Sequence, residues 1–314
     1  MPSLTDLIAG YEAELISPVD DRVVALVERF IVPNVDAIIR DMSELRGETD
    51  AFLRARLGGT AKPDEGGDGG PPGYPVSYCL EITRHMLHLM SRVPAPAHMT
   101  GLKAVHDFVR AGGFVKRIWG ALRGTYFQNA TQVGNYYLDV ANDTVNPQKP
   151  KVELLPLADA NFRNVDSYFE FEAVGRSYWQ CHTIANRHFP NLAPWYPVVT
   201  FSKRGVIRLD SANSFMFPMN IVRGFAPAWD FVMGGEGART EAEPYADMMA
   251  RLAESDPRMQ DPDGLLYFSR QPDEQRIEEN FARLRTCGQG ELEATMQRVL
   301  TVDPRLWNVV AAGA

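Results

Sequence analysis

Two acidic side chains at the end of an apolar, aromatic run form the first candidate site in this sequence. The run starts at Tyr136, passes through Asp139 and ends at Asp143. Its composition is typical of a strand, and open sheets bind ligands where their strands end. Two carboxylates at such a point can hold a divalent cation that bridges phosphate oxygens. The pattern therefore predicts a divalent metal ion on Asp139 and Asp143.

This run resembles the DxD motif of nucleotide-sugar glycosyltransferases, although its acids have the spacing Asp-x-x-x-Asp. In the reaction that the resemblance implies, the metal neutralises the leaving diphosphate and another acid deprotonates the acceptor. The favoured function is accordingly an enzyme that carries out metal-assisted glycosyl transfer on a polar small molecule or a glycan. The predicted catalytic residues are Asp139, Asp143, Arg163 and Arg176. The two arginines among them would contact the phosphate groups.

A second candidate is a metal site on one face of a helix. Glu81, His85 and His88 have the spacing i, i+4 and i+7, which places them on the same side of a helix. Two imidazoles and a carboxylate form the ligand set of zinc or non-haem iron. His182 or His188 would complete the coordination. The function in this case is a metal-dependent oxygenase or hydrolase.

Two further patterns are weaker. Cys181 with His188 provides a thiol and a base, but a small core cysteine explains the thiol more simply. The glycine-rich run 234–240 precedes a capped helix, but Glu236 disfavours phosphate, so a surface loop explains it better. A non-catalytic binding or effector protein is the remaining alternative, with its helical flanks and a loop at 58–75 serving partner docking.

Composition excludes several classes of protein. The chain has 314 residues, a net charge of -8 and few lysines relative to arginines. An acidic chain of this size does not fit a protein that follows nucleic-acid phosphates. Codon bias in a GC-rich genome explains the excess of arginine over lysine, and a preference for binding oxyanions is the alternative. Its three separated cysteines are typical of a reducing compartment. We see no apolar run long enough for a membrane span and expect a cytoplasmic protein.

Helical periodicity dominates both ends of the chain. Apolar residues repeat at three-and-four spacing behind Ser3 and behind Asp20, and again after Pro33. Seven glycines and four prolines then fill residues 58–75, which predicts a flexible loop. Helices are expected at about 76–92 and 101–111.

The centre of the chain has strand character, and the C-terminal third returns to helix. Residues 115–122 and 126–140 predict strands, 197–209 predicts a hairpin, and 164–186 fits either a helix or a strand. Helices follow a capping box at Thr240 and around Phe281, and Asp303 begins a short final one. We therefore predict an α+β fold with a mixed central sheet. Its predicted segments are a helical N-terminus (1–57), the loop (58–75) and a main domain (76–314).

Overall fold

The computed structural model describes residues 1–57, 74–92, 94–201, 206–211, 214–234, 243–302 and 305–308. They belong to two compact units. The first unit contains the described residues of 13–65 and 69–164. The second unit contains residues 1–12 and the described residues of 165–314.

Helices on one side of the first unit supply most of its apolar core. They are α2 (Asp21–Phe30), α3 (Val35–Leu57), α4 (Cys79–Met90) and α5 (Thr100–Arg110), and α1 (Leu4–Glu14) precedes them in the chain. The Asp20 carboxylate starts α2 by accepting a hydrogen bond from the Val23 amide at 2.8 Å. Buried residues along α3 such as Met42 meet Met86 of α4 and Phe108 of α5 in one hydrophobic cluster.

The sheet of the first unit is antiparallel, with the strand order β4-β3-β2-β1-β5. Its strands are β1 (Val115–Leu122), β2 (Tyr126–Val133), β3 (Tyr136–Asp139), β4 (Glu153–Pro156) and β5 (Phe162–Arg163), and the short helix α6 (Leu157–Ala160) lies between the last two. Arg117 is opposite Thr131 and Trp119 is opposite Asn129. Since side chains alternate along a strand, these four residues share one face of the sheet.

The second unit combines helices with a separate antiparallel sheet of order β6-β7-β8-β9. The strands are β6 (His182–Ala185), β7 (Val198–Phe201), β8 (Val206–Asp210) and β9 (Arg305–Asn308). The helices are α7 (Tyr168–Trp179), α8 (Met216–Val222), α9 (Ala226–Gly234), α10 (Glu243–Ser255), α11 (Glu274–Thr286) and α12 (Gln289–Val299). Buried aromatic side chains, among them Trp195 and Phe217, fill its interior.

The predicted α+β class is confirmed, with two corrections of detail. The strand pairings are antiparallel rather than mixed. Arg305–Asn308 form strand β9 on the edge of β8, where a final helix was expected, because pairing with a distant strand outweighs the local capping pattern. The ambiguous segment 164–186 divides into α7 and β6 at Gln180, whose φ of 49° ends the helix. Residues 58–73 of the expected loop, and Thr240, lie outside the described residues.

In the described part of the chain, no helix is both long enough and apolar enough to cross a membrane.

Close packing of α5 on α3 gives the first testable prediction. A β-carbon on Gly101 would lie 2.3 Å from the backbone carbonyl carbon of Ala37 and 2.3 Å from the amide nitrogen of Ile38. We expect Gly101→Ala to lower the free energy of unfolding by about 1–3 kcal/mol, because the helices must separate. The matched control is Gly47→Ala on α3, where nothing lies within 4 Å. It should raise the stability by up to about 1 kcal/mol. Urea unfolding followed by circular dichroism measures both changes, and equal effects would contradict the close contact.

Candidate functional site

Asp139 is placed at the end of β3 with its carboxylate fully buried. Its Oδ2 accepts hydrogen bonds from Gln128 Nε2 at 2.8 Å and from the Tyr137 hydroxyl at 3.0 Å. Its Oδ1 accepts from the backbone amide of Ala141 at 2.7 Å. Burial raises the pKa of Asp139 to about 6, although these donors act in the opposite direction. The carboxylate is therefore engaged in holding the turn that follows β3.

Asp143 is placed against a buried arginine. The Arg46 guanidinium binds it with two hydrogen bonds, from Nη1 to Oδ1 at 2.7 Å and from Nη2 to Oδ2 at 3.2 Å. Arg46 Nε also donates to Asp50 at 2.7 Å, and Asp50 accepts from Tyr74 and Lys151. We call these five residues the Arg46 network. A cation bound to Asp143 would have to displace Arg46 from it.

The predicted arginines belong to different compact units. Arg163 is exposed on β5, opposite Ala121 of β1. Arg176 belongs to the second unit, where its Nε donates to the Thr183 hydroxyl at 3.0 Å and its guanidinium pairs with Glu172. Each of the two residues is thus part of a different compact unit.

The histidines of α4 make contacts typical of side chains at the edge of a core. His85 Nδ1 lies 3.0 Å from the Thr49 hydroxyl, and the ring stacks on Phe52 with a centroid distance of 4.3 Å. The ring of His88 is 6.3 Å away. Burial, together with the nearby His88, lowers the pKa of His85, which keeps it neutral at neutral pH.

The remaining candidates lie in the second unit. His182 is exposed and faces the Tyr245 ring at 5.7 Å. His188 is buried, and its Nδ1 donates to the Ser269 carbonyl at 2.9 Å. Burial raises the pKa of Cys181 to about 11, so its thiol stays protonated at neutral pH.

Across the described ranges, no three His, Cys, Asp or Glu side chains are arranged to hold a metal ion. Glu81, His85 and His88 share α4 without forming such a group. The divalent ion expected on Asp139 and Asp143 stays a prediction.

A different set of side chains does converge in the first unit, on the sheet face that holds Arg117 and Asn129. The Asn129 amide donates from Nδ2 to Cys79 Sγ at 3.4 Å. Its Oδ1 accepts from Arg117 Nη1 at 3.0 Å, and Arg117 Nη2 pairs with Glu14. With the exposed Arg84, these residues are the Cys79 cluster. A continuous line of polar contacts thus runs from a carboxylate to a sulfur atom.

Local structure explains how the thiol is held. Cys79 is the first residue of α4, and the preceding Tyr78 provides no side-chain hydrogen bond to cap the helix. Amides in the first turn of such a helix favour a negative charge nearby. The Thr83 hydroxyl donates to the Asn129 carbonyl at 3.0 Å and fixes α4 against β2. The half-buried thiol therefore lies at the start of α4, a helix that is fixed against strand β2.

Partly buried charges belong to the line of contacts that reaches this thiol. Burial raises the pKa of Glu14, although Arg117 and Arg84 lower it. Burial lowers the pKa of Arg117, against the effect of Glu14. Glu81 lies in the first turn of α4 and adds one negative charge on that helix. Desolvated groups of opposite charge near a nucleophile are typical of functional sites. Ion pairs with a purely structural role produce the same pKa shifts.

The sequence alone contains no motif that joins these residues. Glu14 and Arg117 are separated by 103 positions, and Cys79 and Asn129 by 50. The one usable signal is the pair Lys116-Arg117, since two adjacent cations are unusual within a strand. A polar position on the helix-covered face of a sheet requires a partner, and that partner is Glu14.

Comparison with known protein families, with characterised proteins and with solved structures finds no significant match in any of the three. The function therefore has to be argued from the geometry of the site.

Proposed function

We propose that the chain is an enzyme in which the Cys79 thiolate acts as a nucleophile on a small, polar, negatively charged substrate. The observation behind this proposal is the line of contacts from Glu14 through Arg117 and Asn129 to the sulfur. An amide donor, a nearby guanidinium and a helix N-terminus each stabilise the thiolate, which is the reactive form of cysteine.

Each residue of the Cys79 cluster has a distinct role. Cys79 bonds to an electrophilic atom of the substrate while the bond from that atom to its leaving group breaks. Water then displaces the sulfur and gives one proton to solvent, which releases the product and restores the thiolate. Asn129 is a positioning residue for the sulfur, and Arg117 with Glu14 positions Asn129. The leaving group takes its proton from solvent.

The surroundings indicate the kind of substrate. Arg84 is exposed on α4, and its charge acts on both Glu14 and Arg117. Such a side chain can meet an anionic group of a substrate as it approaches the thiol. On the same sheet face, Trp119 stacks on Phe127 with a centroid distance of 5.3 Å, which supplies an aromatic wall.

Alkylation with iodoacetamide tests the proposal without a known substrate. At pH 7 we expect Cys79 to react about ten times faster than the half-buried Cys287, since each tenfold of thiolate corresponds to about 1.4 kcal/mol of stabilisation. Cys181 should not react in the folded protein, because its thiol is buried and has a pKa of about 11. Peptide mass spectrometry assigns the rate to each cysteine.

Two variants separate an activated thiol from one that is merely accessible. Asn129→Ala removes the donor to the sulfur and should slow the alkylation of Cys79 about fivefold. The control Asn34→Ala removes an amide of the same unit that bonds only to the Phe30 carbonyl, and should leave the rate unchanged. Equal rates at Cys79 and Cys287, or an unchanged rate in Asn129→Ala, would refute the proposal.

Metal-assisted glycosyl transfer at Asp139 and Asp143 stays a prediction, as does the metal-dependent oxygenase or hydrolase. The geometry favours the thiol because Asp143 is occupied by Arg46 and Asp139 by internal donors. Cys79, in contrast, is half-buried and lies near the charge of Arg117.

A further inference from the structure

A polar cavity of about 320 Å³ lies within the second unit, and no residue of the Cys79 cluster is part of its lining. It is formed by α11, α12, Asn191 and the loop 262–265. The volume is at the lower end of the range for small-molecule sites. Polar side chains make up most of its lining: Asn191, Asp263, Arg276, Glu279, Asn280, Arg283, Thr295 and Arg298.

Three guanidinium groups face this cavity. Arg276 and Arg283 have the spacing i and i+7 on α11, so they lie on one face of that helix two turns apart. Arg276 is held by the Pro262 carbonyl and lies 3.6 Å from Asp273, and Arg283 pairs with Glu291 at 3.2 Å on the surface. Arg298 on α12 has no hydrogen bond or ion pair from its guanidinium within the described residues.

The hydroxyl of Thr295 provides a second polar group that a ligand could use. Thr295 lines the cavity and is only 7% exposed. Its side chain has no hydrogen-bond partner in the part of the chain that the structure describes. Threonine hydroxyls inside helices usually bond to a backbone carbonyl or to another group of the protein. Thr295 is thus a donor that a molecule in the cavity can use.

The amides of the cavity are fixed in place before any ligand binds. Asn191 donates to the carbonyls of Pro262 and Gly264 at 2.9 and 2.8 Å. Asn280 donates to the Asn191 Oδ1 at 3.0 Å and to the Pro190 carbonyl at 3.2 Å. These bonds tie the loop to α11, so the cavity is largely preformed and loses little conformational entropy on binding.

We propose that this cavity binds a small polar molecule through an oxyanion group, either a phosphoryl group or a carboxylate. The guanidiniums of Arg276, Arg283 and Arg298 outnumber the carboxylates of Asp263 and Glu279 by one. The planar guanidinium fork matches both oxyanions with paired hydrogen bonds. Arg298 supplies the unengaged cation, and Thr295 supplies a neutral donor. The two acids at the rim accept hydrogen bonds from hydroxyl groups on the rest of the ligand.

Isothermal titration calorimetry on the full chain tests the proposal with inorganic phosphate, glycerol 3-phosphate and citrate as probes. Binding of the phosphates alone identifies a phosphoryl site, and binding of citrate alone identifies a carboxylate site. Arg298→Gln should weaken binding about tenfold or more, because a hydrogen bond to a charged group contributes about 1.5–3 kcal/mol. The control Arg251→Gln removes the same charge from an exposed position of α10 outside the cavity and should bind as the wild type does.

Thr295→Val distinguishes binding from a structural role of the hydroxyl. The variant keeps the shape of the side chain and removes a donor that has no hydrogen-bond partner within the described residues. We therefore expect an equal or higher Tm without ligand, together with weaker binding of the oxyanion. The proposal is overturned if none of the three probes binds, or if Arg298→Gln and Thr295→Val both bind with wild-type affinity.

Discussion

Replacing Arg46 with methionine is expected to lower the free energy of unfolding of the first unit by about 3–5 kcal/mol. Arg46 is fully buried, and it joins Asp50 on its own helix to Asp143 behind β3. It also donates from Nη1 to the Val140 carbonyl at 2.9 Å. Removing the guanidinium leaves Asp143 buried with a negative charge and no ion-pair partner in the described structure. A buried charge without a partner destabilises the folded state strongly.

The other members of the Arg46 network explain why the loss falls mainly on Asp143. Burial raises the pKa of Asp50, but hydrogen bonds from Lys151 and Tyr74 together with the charge of Arg46 hold that pKa below its ordinary value. Asp50 therefore keeps two donors in the variant, whereas the oxygens of Asp143 lose both of theirs. The double variant Arg46→Met with Asp143→Leu should recover part of the stability, because it removes the unpaired charge as well.

Native-state hydrogen exchange of the amides in β1, β2 and β3 measures this loss within the first unit. The control is Arg92→Met at the surface, where the guanidinium lies 3.7 Å from Glu48 and both side chains are more than half exposed. An exposed pair of this kind contributes about 1 kcal/mol or less. If Arg46→Met costs no more than Arg92→Met, the Arg46 network does not hold the unit together.

Local patterns in the sequence predicted the elements well, because their causes are local. The caps at Ser3 and Asp20 are made by side chains three residues away from the amides that they bind. The strands on both sides of residues 202–205 pair in antiparallel fashion, as predicted for a hairpin. The expected helix after Asp303 was wrong, since the pairing of β9 with β8 is set by a strand about a hundred positions away.

The candidate sites were harder to predict for the same reason. As an aspartate after a strand, Asp143 was a candidate metal ligand, but its partner is Arg46, 97 positions earlier. The spacing of apolar residues along the sequence contains no information about such a contact. In the sequence, Cys79 is one of three widely separated cysteines, and only the fold shows that Asn129 donates a hydrogen bond to it. Residue type thus indicated which side chains could do chemistry, whereas the tertiary contacts decide which of them are already engaged.

The pH dependence of stability should reveal the buried carboxyl of Asp139. Its pKa is about 6 in the folded chain against an ordinary value of 3.8. Between these values the folded chain keeps a proton that the unfolded chain has released. The stability due to this proton is therefore fully present below about pH 4 and is lost as the pH rises through about 6. A shift of this size corresponds to about 3 kcal/mol, because each pKa unit is about 1.4 kcal/mol.

Asp139→Asn isolates this effect from all other titrating groups. The amide does not ionise, and Gln128 can turn its own amide to accept from Asn at this position, since the buried Gln128 Oε1 has no partner among the described residues. Measured by urea unfolding at several pH values, the stability of Asp139→Asn relative to the wild type should rise by about 2.5 kcal/mol between pH 4 and pH 7. Asp50→Asn is the control of opposite sign, because the pKa of Asp50 is lowered by folding and its carboxylate stabilises the chain as the pH rises. Parallel curves for the wild type and Asp139→Asn would show that the Asp139 carboxyl titrates as it does in the unfolded chain, and the raised pKa would then be excluded.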